Sequence, residues 1–271
     1  PGLVHLAISG FGTSGASAGL PGYDFIIQAA SGLMSITGQP DSAGGEPTKV
    51  GVAISDVVTG MLGAVSVLGA LVGRAAAGGA ASGIGQRIDV SLLGATMASL
   101  VNQAQNAFVS GAAPGRLGNA HPNIVPYQLF ETADRPFILA AGNDRLFERT
   151  CAVIGRPELA TDERFATNAA RVRHRDELIP ILSAEFGRRP SAGWLAALEE
   201  ASVPCAPVRT LDEVFASPEG AATIQAIDDP ERGSLRLVAD PIRVDGRVPP
   251  ARTPPPRLGE HTDDVRSDLE G

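Results

Sequence analysis

The sequence is short of cysteine, with only Cys151 and Cys205 in 271 residues. That excludes a disulfide framework and points to a reducing compartment. Lysine is nearly absent: Lys49 stands beside 21 arginines, a skew that reads as codon bias as much as physics. Basic residues are outnumbered 22 to 30, for a net charge of −8, so the basic stripe of a nucleic-acid binder is missing. The opening residues lack the basic region and cleavage pattern of a signal peptide. No tandem repeat is visible. In the first half the longest uncharged apolar stretch, residues 57–73, falls short of the ~20 residues of a membrane span. Gly60, Gly63, Gly69 and Gly73 interrupt it, and it reads as a buried helix of a soluble protein. No HxxxH or CxxC pattern accompanies His5, His121, His174 or His261, so no metal site is expected.

What is present is enough for a core. Hydrophobic residues make up 44% of the chain, which keeps 32 glycines and 21 prolines from implying disorder. A chain of this length buries one large domain or two smaller ones without staples. Residues 3–9 read as a buried strand, 10–22 as a Gly/Ser/Pro loop and 24–34 as a helix. Residues 39–47 read as a loop, 49–54 as a short strand and 57–77 as a long buried helix. A turn over 78–85, a strand end over 87–90 and a second apolar helix over 91–109 complete this part. Helices apolar all round belong inside an α/β core.

The character then changes. Residues 111–126 are a loop, and 127–132 with 136–141 form a hairpin pattern. Charged amphipathic helices follow over 144–154, 168–186 and 191–200, with a strand over 205–208. Thr210 and Glu213 fit a capping box that opens a helix through Ala216. Strands are expected over 234–238 and 242–244, a proline-rich linker over 247–256, and the start of an acidic helix in the tail. The fold class is α/β. A large α/β domain spans 1–110, a linker with a glycine loop 111–126, a smaller α+β domain 127–216, and a return segment and tail 217–271.

Two motif matches fail on context. G-x-G-x-x-G at residues 10–15 follows a strand, but no helix opens there and no acid lies ~20 positions beyond. G-x-S-x-G around Ser17 sits mid-loop, where a nucleophile elbow needs strand, turn and helix. His5 alternates with Val4 and Leu6 and reads as packed; His174, within 171–175, reads as part of a solvated helix face. Asp56 is more informative. It is the only acid between Glu46 and Asp89, at the junction of an expected strand and an expected helix. The plain reading is an N-cap. The sharper one is a nucleophilic carboxylate at the end of a strand. The small-residue loop Gly118, Asn119, Ala120, His121, Pro122, Asn123 is either an interdomain turn or a mobile loop that closes over a reacting group.

Several stretches together resemble family III CoA-transferases, which include formyl-CoA and carnitine CoA-transferases and the related α-methylacyl-CoA racemases. They are LAISGFG (6–12), PGYD (21–24), SGLM (31–34), GQRIDVSLL (85–93), VPCAPV (203–208) and LGEHT (258–262). They run in the family's order over nearly the whole chain. The resemblance implies a Rossmann-like large domain and an interlocked homodimer of a cytoplasmic enzyme. It places Asp56 at the catalytic aspartate, and Gly118, Asn119 and Ala120 in a glycine loop over the active site. His121 falls where formyl-CoA transferase has glutamine, and Tyr23 and Asp24 fall in a CoA-contacting segment. The substrates implied are an acyl-CoA and a carboxylic acid, with dicarboxylates such as succinate favoured by residues 118–127, and with no covalently bound cofactor. Neither a nucleic acid nor a membrane is an expected partner. The chemistry implied is attack of Asp56 on the thioester to give an aspartyl anhydride, then an aspartyl-CoA thioester. Loop amides and the helix terminus would stabilise the oxyanions. The racemases carry a histidine where this chain has Tyr23, and a phenol is a poor base near neutral pH. An α-methylacyl-CoA racemase or epimerase is therefore the alternative activity, and a non-catalytic acyl-CoA-binding remnant the alternative class. Family members also carry an upstream segment of ~100 residues, about a small domain, so the opening at Pro1 is expected to lie mid-protein.

Overall fold

The computed structural model describes residues 2–76, 82–250 and 253–270. The chain divides into two units, Pro1–Ala206 and Pro207–Gly271.

In the first unit β1 (His5–Ser9) pairs in parallel with β2 (Arg87–Ser91), His5 opposite Arg87 and Ser9 opposite Ser91. Between them run the loop 10–22, the helix α1 (Asp24–Ala30), two 3-10 turns (Met34–Ile36 and Asp41–Ala43) and the long helix α2 (Ile54–Ala75). The helices α3 (Leu92–Ala98) and α4 (Val101–Ser110) follow β2 directly. Ser91 caps α3 by accepting the Gly94 amide at 3.1 Å. The single helix expected over 91–109 is thus two, parted at Ser99 and Leu100. The helix expected over 24–34 ends at Ala30 and tightens into a 3-10 turn.

Two further expectations fail here. Residues 49–54 are not a strand: the Val50 amide donates to Gln28 Oε1 at 2.8 Å, a side chain in place of a ladder partner. Nor is α2 buried. Its buried residues are Ser55, Thr59, Gly63 and Ala70, all small, whereas Val57, Met61, Val65, Leu68 and Val72 are exposed. The small face is the one that packs. A Cβ on Gly63 would lie 3.1 Å from Leu6 Cδ2, so the absent side chain lets α2 lie against β1. By length and composition α2 is long and apolar enough to cross a membrane; in this fold it packs on β1, β2, α1 and α3. Residue 77 and half of the turn expected over 78–85 lie outside the described residues. His5, expected to be packed, is exposed, because it occupies the outer side of a two-stranded sheet.

From residue 121 the unit has a conventional core. The strands β3 (Tyr127–Phe130) and β4 (Phe137–Ala140) form the expected hairpin, with Tyr127 opposite Ala140, and β5 (Cys205–Pro207) extends the sheet in the order β3-β4-β5. The helices α5 (Asp144–Val153), α6 (Asn168–Arg173), α7 (Arg175–Phe186) and α8 (Ser191–Glu200) share one buried cluster with the hairpin. The core holds Phe130, Phe137, Phe147, Leu182, Phe186 and Trp194, each at most 2% exposed. The Phe186 ring centroid lies 4.9–5.2 Å from those of Phe130, Phe137 and Trp194. Fully burying one such side chain is worth about 1.5–3 kcal/mol. Asp134, in the hairpin turn, accepts the Ser191 amide at 2.7 Å and so caps α8 from a distance. That bond, with the Thr132 hydroxyl, holds its carboxyl down to about 2.

The helix expected over 168–186 breaks at His174. Its 171–175 stretch is not a solvated face: Arg171 is 0% exposed. Its guanidinium donates to the carbonyls of Val125 and Phe165 and pairs with Asp144 at 2.8 Å, because a buried cation persists only when its donors are satisfied. His174 meets Glu177 at 2.8 Å. Both cysteines are free, and burial pushes the Cys151 thiol up to about 12, far from a nucleophile's range.

The second unit carries α9 (Leu211–Ala216) with the expected capping box, α10 (Pro218–Ala221), the antiparallel pair β6 (Ile224–Asp229) and β7 (Gly233–Val238), and α11 (Thr262–Glu270). Residues 242–244 form no strand; Val244 makes only an isolated bridge to Arg247. The strand β6 was not expected.

Candidate active site

Asp56 stands third in α2, where the first-turn amides and the helix dipole favour a negative charge. It is not the N-cap, which is Ala53, and no strand precedes it. Among the described residues its exposed carboxylate has no hydrogen-bond or ion-pair partner.

The capping is done by Asp24. Its Oδ1 accepts the Ser55 amide at 2.8 Å, across 31 residues of sequence, and its Oδ2 accepts Gln28 Nε2 at 2.8 Å. The other end of the Gln28 amide holds Val50. One relay, Ser55 to Asp24 to Gln28 to Val50, therefore fixes both the start of α2 and the segment that leads into it. Gln28 is 0% exposed. Sequence reading passed over it, although an amide among the apolar residues of a helix, four positions after an acid, was the available signal. Tyr23, beside Asp24, is 76% exposed.

The loop 118–123 is held from both sides. On one side the Gly118 amide donates to Gly38 O at 2.9 Å, and Arg116 holds Gln39 O at 3.0 Å and Asp41. Gly118 has φ +60°, and a Cβ there would lie 2.8 Å from Gln39 Oε1, so glycine is required on both counts. On the other side the segment 168–175 grips the chain. Arg175 donates to His121 O at 2.6 Å and Pro122 O at 3.1 Å. Asn168 holds Asn123 O at 2.9 Å and the Val125 amide at 3.1 Å. Between these anchors Asn119 is exposed. Neither Asn168 nor Arg175 was singled out from sequence; their spacing of seven, one helical face, was the only signal.

Of the amides in the loop 118–123, four are paired within the protein and that of Asn119 has no partner among the described residues. The amides of Gly118, Ala120, His121 and Asn123 donate to Gly38 O, Leu117 O, Tyr127 O and His121 Nδ1. The Asn119 amide, the dipole at the first turn of α2 and the loop side chains are what remains to meet a negative charge. The His121 ring lies 5.3 Å from that of Tyr127, and burial, then the Arg175 charge, holds it below the usual histidine range.

No hydrogen bond joins Asp56 to residues 118–121 among the described residues. They are linked through one intervening segment: Gly38 holds the loop, Thr37 holds Thr48, and Val50 is tied to the relay that caps α2. Among the described residues no group of three or more His, Cys, Asp or Glu is placed to hold a metal ion.

A family model described as CoA-transferase family III matches residues 1–262. The chain is 42% identical over 272 residues to the succinate–glutarate CoA-transferase of Agrobacterium fabrum, covering 100% of this chain and 66% of that protein. It is 36% identical to the acetyl-CoA:oxalate CoA-transferase of Acetobacter aceti, covering 99% of this chain and 67% of that one. The fold matches the crystal structure of a CaiB/BaiF family protein from Brucella suis, with TM-score 0.78 and 40% identity over 99% of this chain and 68% of that one. The chain thus spans about two-thirds of the length of these relatives.

Proposed function

The chain belongs to CoA-transferase family III, and on that premise we propose that it transfers coenzyme A from an acyl-CoA to a carboxylic acid with Asp56 as nucleophile. The observation that carries this reading is the division of labour at the start of α2. Asp24 satisfies the helix terminus, which leaves the Asp56 carboxylate exposed and unpaired in the same turn.

The steps balance without an added cofactor. Asp56 attacks the thioester carbonyl; the C–S bond breaks, CoA thiolate leaves, and a mixed anhydride forms. The thiolate attacks the aspartyl carbonyl of the anhydride, releasing the donor acid and giving an aspartyl-CoA thioester. The acceptor carboxylate then displaces the thiolate, and the thiolate returns to the acceptor's carbonyl, which frees Asp56. Each intermediate is hydrolysable, so water must be kept out while it exists. In this reading Tyr23 and Asp24 mark the CoA side of the site and Gly118, Asn119, Ala120 and His121 its acid side.

The named substrates of the relatives, succinate with glutarate and oxalate, support a dicarboxylate acceptor here. A Rossmann-like large domain, an interlocked homodimer, a cytoplasmic location away from membranes and nucleic acid, and the four-part division at 110, 126 and 216 belong to the same proposal. The racemase alternative is weaker, because Tyr23 supplies no base near neutral pH.

The test is transfer of CoA from succinyl-CoA to glutarate by the full chain. Asp56→Ala is expected to lower the rate by about 1,000-fold or more, with the melting temperature unchanged, because the covalent route is lost. Retention of a tenth of the activity, to order of magnitude, sinks the mechanism. Binding of acyl-CoA by the unmodified chain without any transfer would establish the non-catalytic alternative.

A further inference from the structure

Beside the glycine loop lies a cavity of about 290 Å³, lined by Asn102, Gln103, Gly118, Asn119, His121 and Tyr127 among others. None of its lining residues is acidic. Of the amides in the loop 118–123 only that of Asn119 is unpaired among the described residues, so side chains must provide most of what the cavity donates to a ligand. Gln103 Oε1 already accepts Asn106 Nδ2 at 3.4 Å.

His121 is fixed more tightly. The Asn123 amide donates to its Nδ1 at 3.1 Å. A ring nitrogen that accepts carries no proton, so the proton of the neutral ring sits on Nε2. That nitrogen has no protein partner among the described residues. The backbone of His121 is clamped at the same time: its amide donates to Tyr127 O and its carbonyl accepts from Arg175. The Arg175 guanidinium adds a positive charge beside the cavity that favours an anion and disfavours a second proton on the ring.

We propose that this cavity receives a carboxylate of the acid substrate and that His121 donates its Nε2–H to it, as a binding group rather than a base. The proposal rests on the transferase reading above for the identity of the acid. The geometry behind it does not, since a tautomer locked by Asn123 exists with or without turnover.

The test has two parts. In the full chain labelled with 15N-histidine, a two-bond proton–nitrogen correlation spectrum at pH 7.5 should show His121 protonated at Nε2 and bare at Nδ1. Saturating glutarate should move the His121 Nε2 signal and leave those of His5, His174 and His261 in place. A proton on Nδ1, a cationic ring, or a His121 signal unmoved by glutarate overturns the proposal. In the transfer assay, His121→Leu should raise the KM for glutarate about tenfold and leave the KM for succinyl-CoA within about twofold, while His121→Gln, which keeps a donor, recovers most of the loss. A fall in kcat with an unchanged KM for glutarate also overturns it. If Asp56→Ala still transfers CoA but the His121 signals behave as described, the nucleophile fails and the anion site stands.

Discussion

The two halves of the first unit solve the same problem in opposite ways. Residues 121–205 bury their large side chains and expose small or charged ones, so that Phe130, Phe137, Phe186 and Trp194 meet in one core. Residues 5–110 do the reverse: α2 packs through Ser55, Thr59, Gly63 and Ala70 and turns Val65, Leu68 and Val72 outward. Yet both halves use the same device to fix a helix start. An aspartate remote in sequence accepts an amide of the first turn, Asp134 for α8 and Asp24 for α2. The difference teaches that a helix can be positioned accurately without being buried. Placement of the start of α2 rests on a polar relay and on packing of small residues, whereas placement of α8 rests on a remote aspartate and a core of large side chains.

Three measurements bear on that contrast. The largest effect is expected in the core of the second half. Trp194→Ala removes a side chain 2% exposed that contacts Phe186 and should destabilise the fold by about 3–5 kcal/mol in denaturant titration. A loss below about 1 kcal/mol would show that this half is not packed as described. Next is the relay. Asp24→Ala strips the Ser55 amide of its acceptor and should lower stability by about 1 kcal/mol, as loss of a cap does. Hydrogen exchange at Ser55 should quicken while exchange at Leu182 stays slow; equal protection at Ser55 in the variant and the parent would break the comparison. The smallest effect belongs to the outer face of α2. Val65→Ser, at a side chain 66% exposed, should shift stability by no more than about 0.5 kcal/mol. A shift as large as that of Trp194→Ala would mean that this face is covered.

Legibility followed the same line. The hairpin β3–β4, the helices α5 and α8 and the capping box at Thr210 could be read because short-range chemistry decides them: alternation, amphipathic period and reciprocal capping; the break between α6 and α7 could not. The candidate site residues come from resemblance, and their company in the fold could not be read. Asp56 looked like a cap because an acid at a junction usually is one. What displaced it was Asp24, and a bond spanning 31 residues leaves no local pattern. Arg171 and Arg175 looked solvated because arginine in a charged run usually is. Arg171 proved buried because the carbonyls of Val125 and Phe165 and the carboxylate of Asp144 converge on it. The break of the second apolar helix at Ser99 and Leu100 likewise carried no sequence marker such as proline or glycine.

By itself the sequence determined the family and the mixed α/β character, because composition, periodicity and motif order are properties of the chain alone. Tertiary structure decided which aspartate caps and which is left free, which face of α2 packs, and which nitrogen of His121 carries the proton. Each depends on a donor or acceptor brought in from elsewhere in the fold, and only the folded chain brings those groups within hydrogen-bond distance.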